Sequence, residues 1–191
     1  GGMMPMPSRF LTAMLARLNG RLALIDCGEG TQVTMKMLGW GFKAIDVICF
    51  THFHADHISG LPGLLLTIGN AGRTEPLTLI GPVGLQRIVE GLTLIAPELP
   101  FPIEYIELTQ DAPNPIRVGA FEIHHCPADH MVKCFAYRID LKRKGKFDVK
   151  KAEQLKLPKP LWNKLQKEGS VDHEGKTYTA DMVMGENRKG I

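Results

Sequence analysis

Apolar residues along this chain change their period several times, and each change marks a new element. Residues 11–26 (LTAMLARLNGRLALID) hold two apolar stretches on either side of Asn19-Gly20, the residue pair best suited to a two-residue hairpin turn. A helix is expected over 29–38. The run IDVICF at 45–50 is continuously apolar apart from Asp46 and reads as a buried strand. Residues 58–69 read as an apolar helix, with Pro62 and Gly63 tolerated in its first turn. LTLIG at 77–81 is a further strand, and 83–95 an amphipathic helix with Ile88, Leu92 and Ile95 at helical spacing. IEYIEL at 103–108 alternates as a half-buried strand does. Two more strands are expected over 116–126 and 134–141, with His130 in the connection between them. Strands interleaved with helices put the chain in the α/β class, and no internal repeat is present.

Beyond residue 141 this order gives way. The segment KRKGKFDVKKAEQLKLPKPLWNKLQKEGS scatters Leu155, Leu157, Leu161, Trp162 and Leu165 among lysines. It predicts a short helix over 148–156, little else regular, and an extended insertion outside the core. Charge sharpens the division. The net charge of +3 conceals 10 Lys and Arg against 13 Asp and Glu in residues 1–140, and 13 against 7 in residues 141–191. Local positive charge of this size points to a polyanionic partner; a solvated lysine-rich surface is the competing reading.

Composition adds limits. A chain of 191 residues with 44% hydrophobic and 23% charged residues fits one sizeable globular domain. It has no apolar run long enough to span a membrane and no signal-peptide pattern. Cys27, Cys49, Cys126 and Cys134 form no CxxC pair, so they read as reduced, buried structural thiols, and a cytoplasmic location is expected.

The chemistry concentrates in THFHADH, directly after the buried strand. His52, His54 and His57 with Asp56 place three imidazoles and one carboxylate within six residues. His52 and His54, two apart in an extended loop, can point the same way. Asp56 and His57 follow where the chain turns into a helix. Imidazole and carboxylate suit a borderline cation such as Zn²⁺, and burying them without one would leave polar groups unpaired. Spacing alone does not single out His130. Asp26 and Glu29, at the end of a strand, read as helix-capping or local structural residues, with ordering of the metal loop as the alternative, and His124 and His125 as structural or supporting ones.

HxHxDH after a buried strand resembles the metallo-β-lactamase superfamily. The following ISGLPGLL (58–65) resembles the ribonuclease Z family of tRNA 3′-processing endonucleases within it. IDCGEGTQ (25–32), MMPMPSRF (3–10) and DHMVKCFAYRI (129–139) are similar to other segments of that family, with Ala136 in place of a family glycine. FDVKKAEQLKLPKPLWNKL resembles its flexible tRNA-gripping arm, with Lys159-Pro160 where the family has Gly-Pro.

The resemblance implies an αββα sandwich. Residues 1–141 would form the first part of the core, 142–180 a basic tRNA-binding arm, and 181–191 a return to the core. It implies two zinc ions per subunit, with manganese or magnesium as substitutes. His52, His54 and His130 would hold one ion, and Asp56 and His57 the other, Asp56 also serving as proton acceptor. It assigns RNA contacts to Lys142, Arg143, Lys144, Lys146, Lys150 and Lys151. The implied activity is endoribonucleolytic removal of the 3′ trailer from precursor tRNA by a homodimer, leaving a 3′-OH on the tRNA and a 5′-phosphate on the trailer. A bridging aspartate and a last histidine are expected beyond Ile191, on the expectation that the sequence is clipped at both ends or covers only an ordered part of a longer protein. The alternatives are another hydrolase of this fold acting on an ester, thioester or sulfate ester, and a non-catalytic RNA-binding relative.

Overall fold

The computed structural model describes all residues except 1–3, 5, 97, 141–144 and 187–191. Chain contacts divide it into two compact units, Gly1–Asp140 and Leu141–Ile191.

The first unit opens with a hairpin of β1 (Met14–Leu18) and β2 (Arg21–Ile25). Asn19 and Gly20 both take positive φ, 49° and 82°, as the tight turn requires. β2 then pairs in parallel with β3 (Ile45–Cys49), β3 with β4 (Leu77–Pro82), and β4 with β5 (Ile103–Leu108), giving a five-stranded sheet in the order β1-β2-β3-β4-β5. Parallel neighbours need crossovers, and helices supply them. These are α1 (Thr31–Leu38), α2 (Ala55–Ile58), α3 (Leu61–Asn70) and α4 (Leu85–Leu92), the last prolonged by a 3-10 turn over Thr93–Ile95. β4 is buried along its whole length and β3 at every position but Asp46, so their apolar runs are the spine of the core. Leu61, Leu64, Leu65 and Ile68 of α3 pack into the same cluster.

A second, antiparallel sheet joins β6 (Ile116–Val118), β7 (Phe121–Ala128) and β8 (Cys134–Asp140). The single strand expected over 116–126 is therefore two. Gly119, at φ 55°, turns the chain so that Val118 pairs with Phe121. β8 is fastened to the end of β3: the Phe135 N–H donates to the Thr51 carbonyl at 2.9 Å, and the Tyr137 hydroxyl donates to the Phe50 carbonyl at 2.8 Å. This fastening brings the β7–β8 loop, and His130 in it, to the carboxyl end of the parallel sheet.

The second unit has more regular structure than its sequence suggests. α5 (Val149–Gln154) is capped by Asp148, whose carboxylate accepts from the N–H groups of Lys150 and Lys151. α6 (Lys159–Glu168) and a hairpin of β9 (Ser170–His173) and β10 (Lys176–Thr179) follow. Pro160 falls in the first turn of α6, where its missing N–H costs nothing, and Gly169 ends the helix in the left-handed region. The leucines that look scattered among lysines converge: Ala152, Leu157, Leu165, Val171 and Val183 are buried together, with Phe147, Leu161, Trp162 and Tyr178 around them. The extended character expected of this segment is thus overturned by a small apolar core of its own. The segment expected to return to the main core, 181–191, is described as far as 186. Those residues bond within this unit, with Asp148 N–H to the Val183 carbonyl and Gly185 N–H to the Lys146 carbonyl, both 2.8 Å.

Candidate metal centre

The carboxyl ends of β2 and β3 lie side by side, and the loops leaving them build the site. Asp26, Cys27 and Gly28 follow β2. Phe50 and then Thr51 to His57 follow β3. The two loops are laced through their backbones. Cys27 N–H donates to the His57 carbonyl at 2.7 Å, Gly60 N–H to the Cys27 carbonyl at 2.9 Å, and Gly28 N–H to the Thr12 carbonyl at 2.9 Å. A Cβ on Gly28 would collide with the Asp56 carbonyl, and one on Gly60 with the Gly28 carbonyl. The glycines of CGEG and ISGLPG are thus fixed by close approach of two backbones around the histidine loop.

His52, His54 and His130 converge. One nitrogen of each lies within 4.8 Å of the other two. The ring centroids of His52 are 4.6 Å from those of both His54 and His130, and His54 is 5.2 Å from His130. Nε2 of His52 and Nδ1 of His54 are 3.0 Å apart. Two nitrogens sharing one tetrahedral zinc stand about 3.3 Å apart at zinc–nitrogen distances of about 2.0–2.1 Å. A small rotation of either ring reaches that separation, so the donor set fits a zinc ion.

His57 and Asp56 form a neighbouring pair. Nε2 of His57 is 3.8 Å from the Asp56 carboxylate, and the His57 ring lies 4.1 Å from that of His52. His52 is buried, while His54, Asp56 and His57 are half-buried. Burial first, and then the adjacent imidazoles of His57, His54 and His130, hold His52 below the ordinary imidazole value, with Asp26 opposing. The neutral form so favoured is the one that binds metals.

Two residues tie this arrangement together from behind, and of them the sequence reading names only Asp26, as one that could order the loop. Asp26, read as a cap or local structural residue, is buried under the histidine loop. It accepts from Thr51 N–H at 2.8 Å, from the Thr51 hydroxyl at 2.9 Å and from His57 Nδ1 at 2.8 Å. Thr51 is the second: its hydroxyl also lies 3.0 Å from His52 Nδ1. Carboxylates behind metal-binding histidines orient the ring and raise its basicity. The contacts favour the lesser of the two readings of Asp26, ordering of the metal loop, over a helix cap.

The remaining candidates fall elsewhere. His124 lies 3.2 Å from Asp140, whose carboxylate also takes a two-pronged contact from Arg138. His125 is engaged with Asn114 and the Pro113 carbonyl. Burial pushes the Cys27 thiol up to about 12 and raises that of Cys49 as well, which disfavours the thiolate form of both. Cys126 is exposed, contrary to the expectation of four buried thiols. Of the lysines assigned to RNA, Lys146, Lys150 and Lys151 are exposed, and Lys151 donates to the Met184 carbonyl at 2.7 Å. Lys142, Arg143 and Lys144 lie outside the described residues. Among the described residues no helix is long and apolar enough to cross a membrane.

A profile of the metallo-β-lactamase superfamily matches residues 9–140. The Ribonuclease Z of Lachnospira eligens is 55% identical over 190 residues, a match covering 100% of this chain and 62% of that protein. The Ribonuclease Z of Clostridium acetobutylicum is 52% identical over 196 residues, covering 100% and 63%. The chain thus spans 62–63% of the length of these relatives. Among solved structures, the short form of human tRNase Z superposes with a TM-score of 0.63 at 25% identity, over 85% of this chain and 78% of that one. YhfI of Bacillus subtilis, a metallo-β-lactamase fold protein, shares the fold at a TM-score of 0.58 and 21% identity, over 73% and 54%. The span matched by the profile holds β1 to β8 and both loops that carry the converging histidines, and on that match the chain belongs to the metallo-β-lactamase superfamily.

Proposed function

We propose that this chain is the larger part of a metal-dependent endoribonuclease of the ribonuclease Z type, which removes the 3′ trailer from precursor tRNA in the cytoplasm. The observation that carries the reading is the convergence of His52, His54 and His130 in a chain that matches Ribonuclease Z relatives from end to end. His52, His54 and His130 would hold one zinc ion, and Asp56 and His57 a second, with manganese or magnesium able to substitute. When bound, the ions supply Lewis-acid polarisation of the phosphate and a nucleophile at neutral pH. Asp56, at the rim of the histidine cluster, takes the proton of the attacking water. Asp26 holds His57 in place from behind. In-line attack at phosphorus breaks its bond to the 3′ oxygen, which takes up a proton from solvent, leaving a 3′-OH on the tRNA and a 5′-phosphate on the trailer.

The test is incubation of the full-length protein with a precursor tRNA carrying a 3′ trailer. A trailer with a 5′-phosphate, formed with metal and not after chelation, supports the reading. Hydrolysis of esters or thioesters with no cleavage of precursor tRNA would refute it.

The basic second unit would contribute tRNA affinity. Exposed lysines follow phosphates by charge and shape without reading bases. Replacing Lys146 and Lys150 by glutamine is expected to weaken tRNA binding and to flatten the dependence of log affinity on log salt by about 2, one for each contact. Hydrolysis of bis(p-nitrophenyl) phosphate should be unchanged. Equal losses on both substrates would assign these lysines to folding. Homodimerisation belongs to the same proposal. The exposed apolar side chains of Val33 and Met37, one turn apart on α1, and Leu66 on α3 supply a surface for it, and sedimentation of the full-length protein tests it.

A further inference from the structure

The hydrogen bonds behind the histidines have a direction, and the direction selects a tautomer. A carboxylate has acceptors only, whereas a hydroxyl has one hydrogen and two lone pairs. Asp26 therefore requires the Thr51 hydroxyl hydrogen, 2.9 Å away, to point toward it. The Thr51 oxygen then has only lone pairs left for His52 Nδ1, at 3.0 Å, so that nitrogen must carry the proton. The opposite choice would set the Thr51 oxygen against Asp26 lone pair to lone pair. The Cys134 sulfur, 3.9 Å from Nδ1, is too distant to compete with an oxygen at 3.0 Å. With its proton on Nδ1, His52 presents the bare Nε2 to His54 and His130. The same carboxylate takes a proton from His57 Nδ1 at 2.8 Å, which leaves His57 Nε2 bare on the side of Asp56.

We propose that Thr51 is a positioning residue whose hydroxyl sets which nitrogen of His52 faces the metal, passing to it the polarity of the buried Asp26 carboxylate. Its backbone N–H, also bonded to Asp26, only anchors the loop. Side chain and backbone can therefore be separated by mutation. Thr51→Val keeps the shape and the N–H bond and removes the hydroxyl. Thr51→Ser keeps the hydroxyl. Neutral histidine without a partner prefers its proton on Nε2, the wrong nitrogen for this site.

The inference rests on the proposed metal site, but the tautomer is read without metal. Full-length protein with ¹⁵N-labelled histidine is stripped of metal and examined by long-range ¹H–¹⁵N correlation at a pH where the imidazoles are neutral. Its zinc affinity is then measured by competition with a chromophoric chelator. The native protein and Thr51→Ser should show His52 protonated on Nδ1. Thr51→Val should show the Nε2 proton populated and bind zinc about 10–100-fold more weakly, with an unchanged circular dichroism spectrum. Native-like tautomer and affinity in Thr51→Val would overturn the inference, as would equal weakening in Thr51→Ser. A native protein that binds no zinc while keeping the Nδ1 proton would instead count against the metal site itself and leave the tautomer argument standing.

Discussion

Asp56→Ala in the full-length protein is expected to slow precursor-tRNA cleavage by about 10²–10⁴-fold while leaving tRNA affinity largely intact. The carboxylate sits in the first turn of α2, half-buried, 3.8 Å from His57 Nε2. It lies at the rim of the cluster, where an attacking water would lose its proton, and its backbone is held independently by the contacts around Gly28 and Gly60. Truncating the side chain is therefore expected to remove the proposed proton acceptor without dismantling the loop. Single-turnover cleavage beside a filter-binding measurement separates the two effects. Zinc content of the variant then tells a lost proton acceptor from a lost ligand: full occupancy with no cleavage assigns Asp56 to proton transfer, and loss of about one ion assigns it to binding. Retained cleavage would remove Asp56 from the mechanism altogether.

The second large effect is expected at Asp26, a residue that would touch neither substrate nor metal. Its carboxylate accepts three hydrogen bonds in a buried position. Asp26→Ala removes the acceptor of the Thr51 N–H and hydroxyl and of the His57 Nδ1–H, all in half-buried positions. Buried donors left without partners cost about 1–3 kcal/mol each, although relaxation recovers part of the sum. A loss of about 3 kcal/mol in the urea unfolding of the metal-free protein is expected, together with zinc affinity weakened by about 10–100-fold. Unchanged stability and unchanged affinity would mean that the histidine loop holds itself, and that the network beneath it is incidental.

How far this molecule is legible in its sequence depends on the range of the contacts involved. IDVICF and LTLIG read as buried strands because their neighbours on both faces are apolar, and β3 and β4 stand there. Asn19-Gly20 announced its hairpin because the turn is fixed by two adjacent residues. The strand over 116–126 divides at Gly119, a turn without the usual Asn-Gly or Asp-Gly pair. α6 was hidden by Pro160, which breaks helices in their interior and is harmless in a first turn, and by lysines that outnumber Leu161, Trp162 and Leu165.

The site divides in the same way. THFHADH is a local run, legible in seven consecutive residues. The resemblance supplied His130, which comes to the cluster only because β8 is bonded to Phe50 and Thr51. Asp26 and Thr51 are 25 residues apart and meet because β2 and β3 are parallel neighbours. No spacing rule reaches across such a pair.

The central claim is that His52, His54 and His130 share one metal ion that drives phosphodiester hydrolysis. Anomalous X-ray diffraction at the zinc edge from crystals of the active full-length protein measures it directly. The account predicts a peak bounded by His52 Nε2, His54 Nδ1 and a nitrogen of His130. An active protein whose crystals place no metal among those three rings, or whose only peak lies away from them, would contradict it.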